Sequence, residues 1–438
     1  MHKRIIISSI MSAVLLLSSC SIPFSFNSGE TIETRDHNTN SSNSIKIDKT
    51  VRADSIKLSP YYEKREMTYW YDRLGQNEER NLYNAIVKGC DEITDERATD
   101  DGYASYIIEP IKLSDVHLER RQILNVISSV FEDNPDIFWL DSRYTYVLDS
   151  ERNLTVTLRS YFDKKTQKKC KKQLNAVVNS VLKGLKPDMN EFDRELYIHD
   201  YIIKNCKYKK SKNSNNHYNA YGCLVEQKAV CEGYNEAFAL LLSYAGVNST
   251  SVSGSDKTDG NTNHVWSVVE LDGDWYHTDV TWDDSKEYSM YDYLNLTTKQ
   301  IQKTHAIAPD YPDIPTEKLL DKDGNSINYN CETPKCTKTK YNYYKYTGSI
   351  LNDISDNTLA EDLAKAAENR DPYFNIYVNP KTMNYRTTYD QLFSDELYTF
   401  QHYIKKANEI LGSDVLRPYS VVCKKNFLNT INVELYYN

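Results

Sequence analysis

The sequence predicts an α+β chain made of several folded units, and three observations carry that reading. The length of 438 residues is about three times that of an ordinary 150-residue domain. Helical and strand periodicities alternate between Tyr61 and Tyr208. A helical pattern at 229–246 is then followed at 264–284 by two strand-like runs joined at a turn dipeptide. With 26% charged and 40% apolar residues the composition is that of a soluble globular chain. The net charge of −9 argues against nucleic acid as a partner, because affinity for phosphate backbones comes from Lys and Arg displacing counterions. The 36 tyrosines fit either aromatic surfaces for sugars or peptides or, more simply, a biased coding composition.

Taken in order, residues 1–19 read as an export signal, with a basic start at His2, Lys3 and Arg4 and an apolar run from Ile5 to Leu17. That run is about 20 Å long as a helix, short of the ~30 Å hydrocarbon core, so a permanent span is disfavoured. Leu17-Ser18-Ser19-Cys20 resembles the bacterial lipobox, which implies that Cys20 is lipidated and becomes the first mature residue. Residues 20–60, rich in Ser, Asn and Thr, read as a flexible tether standing the folded part off the membrane.

An N-terminal α+β module is expected at 61–189. Ile123, Ile127, Val130 and Phe131 have helical spacing after Ser114, a candidate cap; Leu154, Val156 and Leu158 alternate as a strand; Leu174 to Leu185 form a second helix before Pro187. A helix from Glu191 through Lys204 opens the next unit, at 190–305. Pro309, Pro312, Pro315 and Asp323-Gly324 mark a connector at 306–340. Residues 341–438 form a small α/β unit, with helices near 359–369 and 400–411 and strands near 374–378 and 430–437.

The chemistry concentrates in the 190–305 unit. Tyr234, Phe238, Leu241, Leu242 and Ala245 line one face of a helix that Gly246 can end, so Cys231 stands at its first turn. There the helix dipole and unsatisfied N–H groups favour a thiolate, although a cysteine in that position is more often a small core residue. Asp272-Gly273 reads as a two-residue hairpin turn. If Leu271 faces Asp274, His264 faces Thr281, Trp266 faces Asp279 and Val268 faces His277. His264 and Asp279 then share a face as diagonal neighbours, about 7–8 Å apart in the backbone. A carboxylate there fixes the imidazole tautomer and stabilises the imidazolium. His277 shares that face too, and parity alone does not choose between the histidines. The eight cysteines after Cys20 show no metal-knuckle spacing, and there is no GxxxxGK[ST], GxGxxG or HExxH. The sequence therefore points to no metal and no cofactor. Most cysteines read as buried or unbridged thiols.

Cys231-Glu232-Gly233-Tyr234, His264-Val265-Trp266 and Asp274 through Asp283 together resemble the bacterial transglutaminase-like superfamily, over about residues 190–305. The resemblance implies a papain-like core, a helix carrying the thiol packed on an antiparallel sheet. It implies Cys231 as nucleophile, His264 as base and Asp279 as orienting carboxylate, which decides against His277. Tyr291 to Asn295 looks like the family's strand after the triad, and Asp133 to Trp139 resembles a module that accompanies such domains in exported Firmicutes proteins. Cys223 stands where the family usually has alanine, and Ser267 where asparagine is common. Trp266 and Tyr234 are candidate binding residues, with packing the simpler role for the tryptophans. Gln227, four residues before the thiol, suits a loop better than an oxyanion hole. The implied function is an extracytoplasmic, lipid-anchored acyl-transfer enzyme acting through a thioester on protein or cell-wall peptide amides. A peptidase or amidase passes the acyl group to water and a cross-linker to lysine. The alternative is a non-catalytic surface lipoprotein using the fold as a binding scaffold.

Overall fold

The structure, a computed structural model, describes residues 13–16 and 56–438, except 57–58, 76, 99–104, 211–214, 261, 285–290, 308–332, 355–357, 372, 395–398, 418–419 and 423–427. Cys20, most of the expected signal and tether, the connector prolines, Cys331 and Cys423 lie outside the described residues.

The N-terminal part runs β1 (Ala13–Leu16), α1 (Asn77–Gly89), β2 (Ile93–Ala98), β3 (Ser105–Ile108), β4 (Ile111–Leu113), α2 (Arg120–Asp133), β5 (Leu140–Leu148), β6 (Leu154–Ser160) and α3 (Lys164–Leu182). The strands form one antiparallel sheet in the order β1-β5-β6-β3-β2, with β4 also on β6. Ser114 does not cap α2. Glu119 does, closing a capping box with Gln122, whose Oε1 accepts the Glu119 N–H at 2.8 Å. Asp163 caps α3 through the N–H of Thr166.

The central part runs α4 (Glu191–Asn205), β7 (Lys207–Tyr208), α5 (Ala220–Leu224), β8 (Lys228–Ala229), α6 (Cys231–Tyr244), β9 (Asn248–Asp256), β10 (Thr262–Leu271), β11 (Asp274–Thr278), α7 (Val280–Asp283), α8 (Thr298–Ile301) and β12 (His305–Ile307). Its four-stranded sheet has the order β11-β10-β9-β12. Asp272 and Gly273 both have positive φ, as a tight hairpin turn requires, and Leu271 pairs with Asp274. The ladder keeps the expected register only as far as Ser267 opposite Thr278. The expected pairs His264 with Thr281 and Trp266 with Asp279 do not form, because the chain leaves the sheet at Asp279, which caps α7 through the N–H groups of Thr281 and Trp282. Tyr291 to Asn295 is not a strand. It is a turn-rich segment held by single contacts, such as the Asp279 N–H to the Tyr293 carbonyl, before Leu296 bridges His277.

The C-terminal part holds α9 (Tyr343–Thr347), β13 (Ile350–Leu351), α10 (Thr358–Glu368), β14 (Tyr373–Val378), α11 (Tyr385–Phe393), α12 (Thr399–Leu411), β15 (Ser420–Val422) and β16 (Thr430–Glu434), with sheet order β13-β14-β16-β15. One apolar cluster is continuous from Leu74 through Val280, includes Tyr341, and takes in α1, α2, α3, α4 and α6. A second cluster belongs to residues 351–435 alone. A third, around Val252, Trp266, Val268 and Tyr293, covers the other face of the central sheet. The family-like core therefore sits between two layers, with α6 on one sheet face and the loop after α7 on the other.

Candidate active site

Cys231 is the first residue of α6, after Val230, whose extended backbone turns the chain into the helix. The helix is fixed on both sides of its first turn. Asn235, one turn on, donates to Ser251 Oγ on β9 at 2.8 Å and accepts from Ser267 Oγ on β10 at 2.6 Å. Tyr234 donates to Asp284 at the end of α7 at 2.5 Å. These bonds bring the thiol end of α6 to the place where β11 gives way to α7. On β10, three residues before Ser267, His264 places Nε2 2.6 Å from Asp279 Oδ2. The other oxygen, Oδ1, accepts from the backbone of Thr281 and Trp282 at 3.0 and 3.1 Å. Burial would raise this carboxyl, but His264 and then His305 outweigh it and hold Asp279 well below the usual carboxylate range. Since His264 Nε2 is committed to Asp279, Nδ1 is the nitrogen left for a thiol. Cys231 forms no disulfide and is only 1% exposed.

Residues 176–280 match the family model described as the transglutaminase-like superfamily. The chain carries a transglutaminase-like domain. Among solved structures, it is similar to a TGase at 14% identity over 40% of this chain and 51% of that one, with a TM-score of 0.22. It is also similar to a candidate cysteine protease from Cytophaga hutchinsonii, at 13% identity over 43% and 67%, TM-score 0.22. The periplasmic domain of TgpA from Pseudomonas aeruginosa is similar at 13% identity over 42% and 72%, TM-score 0.19. The chain spans about half the length of the TGase it matches. No curated protein matches it.

Within the transglutaminase-like domain, Trp266 and Tyr234 are both buried, and each spends its polar atom inside the fold: Trp266 Nε1 donates to His277 Nδ1 at 3.1 Å, and Tyr234 bonds Asp284. Both are packed into the fold around His264 and Cys231's helix. His277 is wedged between Trp266 and Thr298 and bridged to Leu296; burial, then His305, push it down to about 3, so it is a neutral packing histidine. Gln227 is exposed in the turn before β8 and gives its carbonyl to Lys207. Ser267, in place of the asparagine, is the residue that grips Asn235. Cys223 is buried in α5.

Two groups near the His264–Asp279 pair escaped the sequence reading. His199 on α4 bonds Asp283 and Asp200, each at 3.0 Å. Burial works against its charge, yet those two carboxylates push it up to about 9. His305 opens β12, on the far side of β9, and its Nε2 lies 3.0 Å from the same Asp279 Oδ2. Only the register of two non-adjacent strands reveals that approach. Donor atoms of His264, Asp279 and His305 lie within 4.8 Å of one another, close enough to hold a cation. Two imidazoles donating to one carboxylate oxygen account for the same convergence, and we assign no metal.

Proposed function

We propose that the chain is an extracytoplasmic acyl-transfer enzyme with a cysteine nucleophile, acting through a thioester on amides of protein or cell-wall peptide. The observation that carries the reading is the buried His264–Asp279 pair on the sheet whose strands β9 and β10 hold α6 through Asn235, one turn beyond Cys231. In this reaction His264 Nδ1 takes the thiol proton and Sγ bonds the amide carbon. The resulting oxyanion is held by N–H groups of the first turn of α6, where a helix leaves donors without intrahelical partners. The C–N bond then breaks as His264 returns the proton to the departing amine. Water or a second amine, deprotonated by His264, attacks the thioester and releases the thiol. Asp279 keeps the imidazole in the required tautomer throughout. The signal-like N-terminus supports export and a lipid anchor at Cys20; among the described residues no helix is long and apolar enough to cross a membrane.

A screen of peptides with and without added amines, read by mass spectrometry, tests the activity. The wild type forms acyl-transfer or hydrolysis products and Cys231→Ala forms none. Absence of products together with a Cys231 alkylation profile like that of a model thiol, pKa about 8.5, favours the scaffold reading. The anchor is tested separately: Cys20→Ser abolishes acyl labelling, and unchanged labelling rejects it.

A further inference from the structure

Asp279 serves two imidazoles, and the reaction above uses one. His305 is buried, and Thr304 Oγ1 lies 2.8 Å from its Nδ1. Asp279 Oδ2, 3.0 Å from Nε2, can only accept, so the ring proton sits on Nε2; Nδ1 is then the acceptor, and the Thr304 hydroxyl donates to it at the shorter of its two approaches, the other being to the Ile301 carbonyl at 3.3 Å. His305 crosses β9 on the face that carries His264, and Gly254, opposite His264, keeps that face open: a Cβ there would lie 2.7 Å from the Trp266 ring. Trp266 meets the His305 ring edge-on at 4.8 Å, and Trp282 lies against it at 4.3 Å. Burial keeps His305 below its ordinary value despite Asp279, so it is a neutral donor at physiological pH.

We propose that His305 is a positioning residue that tempers Asp279 for His264, an inference that rests on the acyl-transfer reading. A carboxylate oxygen that already accepts one strong hydrogen bond offers less charge to a second donor. By sharing Oδ2, His305 leaves the His264 imidazolium stable enough to form beside the thiolate and loose enough to give its proton to the leaving amine. The titratable groups facing this pair are Asp279 at the β11–α7 junction, Asp256 opposite His305 on β9, and the neutral His277 on β11. Asp283 on α7 is engaged by His199.

The test is the pH profile of Cys231 alkylation by iodoacetamide, with kcat, KM and melting temperature, in the wild type, His305→Phe, His305→Gln and Thr304→Val. With the shared donor gone, His305→Phe strengthens the thiolate–imidazolium pair. Its alkylation midpoint moves to lower pH by about one unit, the scale of one charge-assisted hydrogen bond. Proton return then slows, so kcat falls about tenfold while KM holds. His305→Gln, whose amide donates to Oδ2, restores both. Thr304→Val, which removes the donor to Nδ1, gives a smaller shift of the same sign should His305→Phe fail to fold. An unmoved profile, or one shifted toward a model thiol, overturns the tempering role while leaving the triad standing. A wild-type profile already like a model thiol overturns both readings.

Discussion

Asp279 stands at the end of a strand with four donors around its carboxylate, and an amide in its place cannot serve them all. In Asp279→Asn the carbonyl oxygen goes either to the backbone of Thr281 and Trp282 or to the imidazoles, and the other side meets N–H against N–H. Turnover should fall by about a thousandfold or more with the fold kept, as expected when a triad histidine loses its tautomer. His277→Ala should cost melting temperature and little turnover, a comparison made by assaying both variants alongside their melts. The buried histidines also set how stability depends on pH. His277 titrates near 3 when folded and near its ordinary 6.5 when unfolded, so what it contributes is whole above about 6.5 and drains as pH falls toward 3. His199, raised to about 9, contributes fully below about 6.5 and loses its contribution as pH rises through 9. His277→Gln should flatten the acid side of the melting-temperature profile against pH and His199→Gln the alkaline side; equal slopes in all three proteins would contradict both assignments.

At the scale of elements, the most consequential residue without a side chain is Gly254 on β9. A Cβ there would meet the carbonyl of Ala306 at 2.1 Å and the Trp266 ring at 2.7 Å, so β12 must shift or Trp266 must leave its place. Gly254→Val should lower stability by about 1–3 kcal/mol in chemical denaturation, the usual cost of overpacking, and detach His305 from Asp279. What could be read from sequence at this scale follows from locality. The helices α3, α4, α6, α10 and α12 carry periodic faces, and the Asp272-Gly273 turn fixes a register from two residues, so each announces itself within a short window. The end of β11 does not. Asp279 can continue a ladder or cap a helix, and the choice is made by Thr281 and Trp282 presenting N–H groups and by Tyr293 receiving the Asp279 N–H. β12 has three residues, and its place beside β9 depends on a connection from β11 that no local pattern specifies. His305 was hidden for that reason, while His264 and Asp279, bound to one hairpin, were not.

At the scale of the molecule, the two larger of the three apolar clusters predict two unfolding events. The cluster around Leu241 and the cluster around Phe400 share no member, so calorimetry should show two transitions. Leu241→Ala should lower one and Phe400→Ala the other, each by about 2–5 kcal/mol. A single transition that both substitutions move together would show that the seam between the parts governs instead. That seam is aromatic: Tyr291 stacks on Tyr343 at 3.8 Å and Tyr344 donates to Asp292 at 2.9 Å. Much of the tyrosine excess that the composition displays is spent on such internal contacts. The core that runs unbroken from Leu74 to Val280 bears on inheritance as well as on melting. The segment recognised by family begins at residue 176, inside α3, just after Leu174 and Asn175, both buried. A gene exchange at that point would carry the cysteine, the histidine and the aspartate into a new chain. It would leave behind α1, α2 and the large sheet, whose apolar residues belong to the same cluster as those of α6. The stretch that can be recognised is thus smaller than the stretch that can be transplanted.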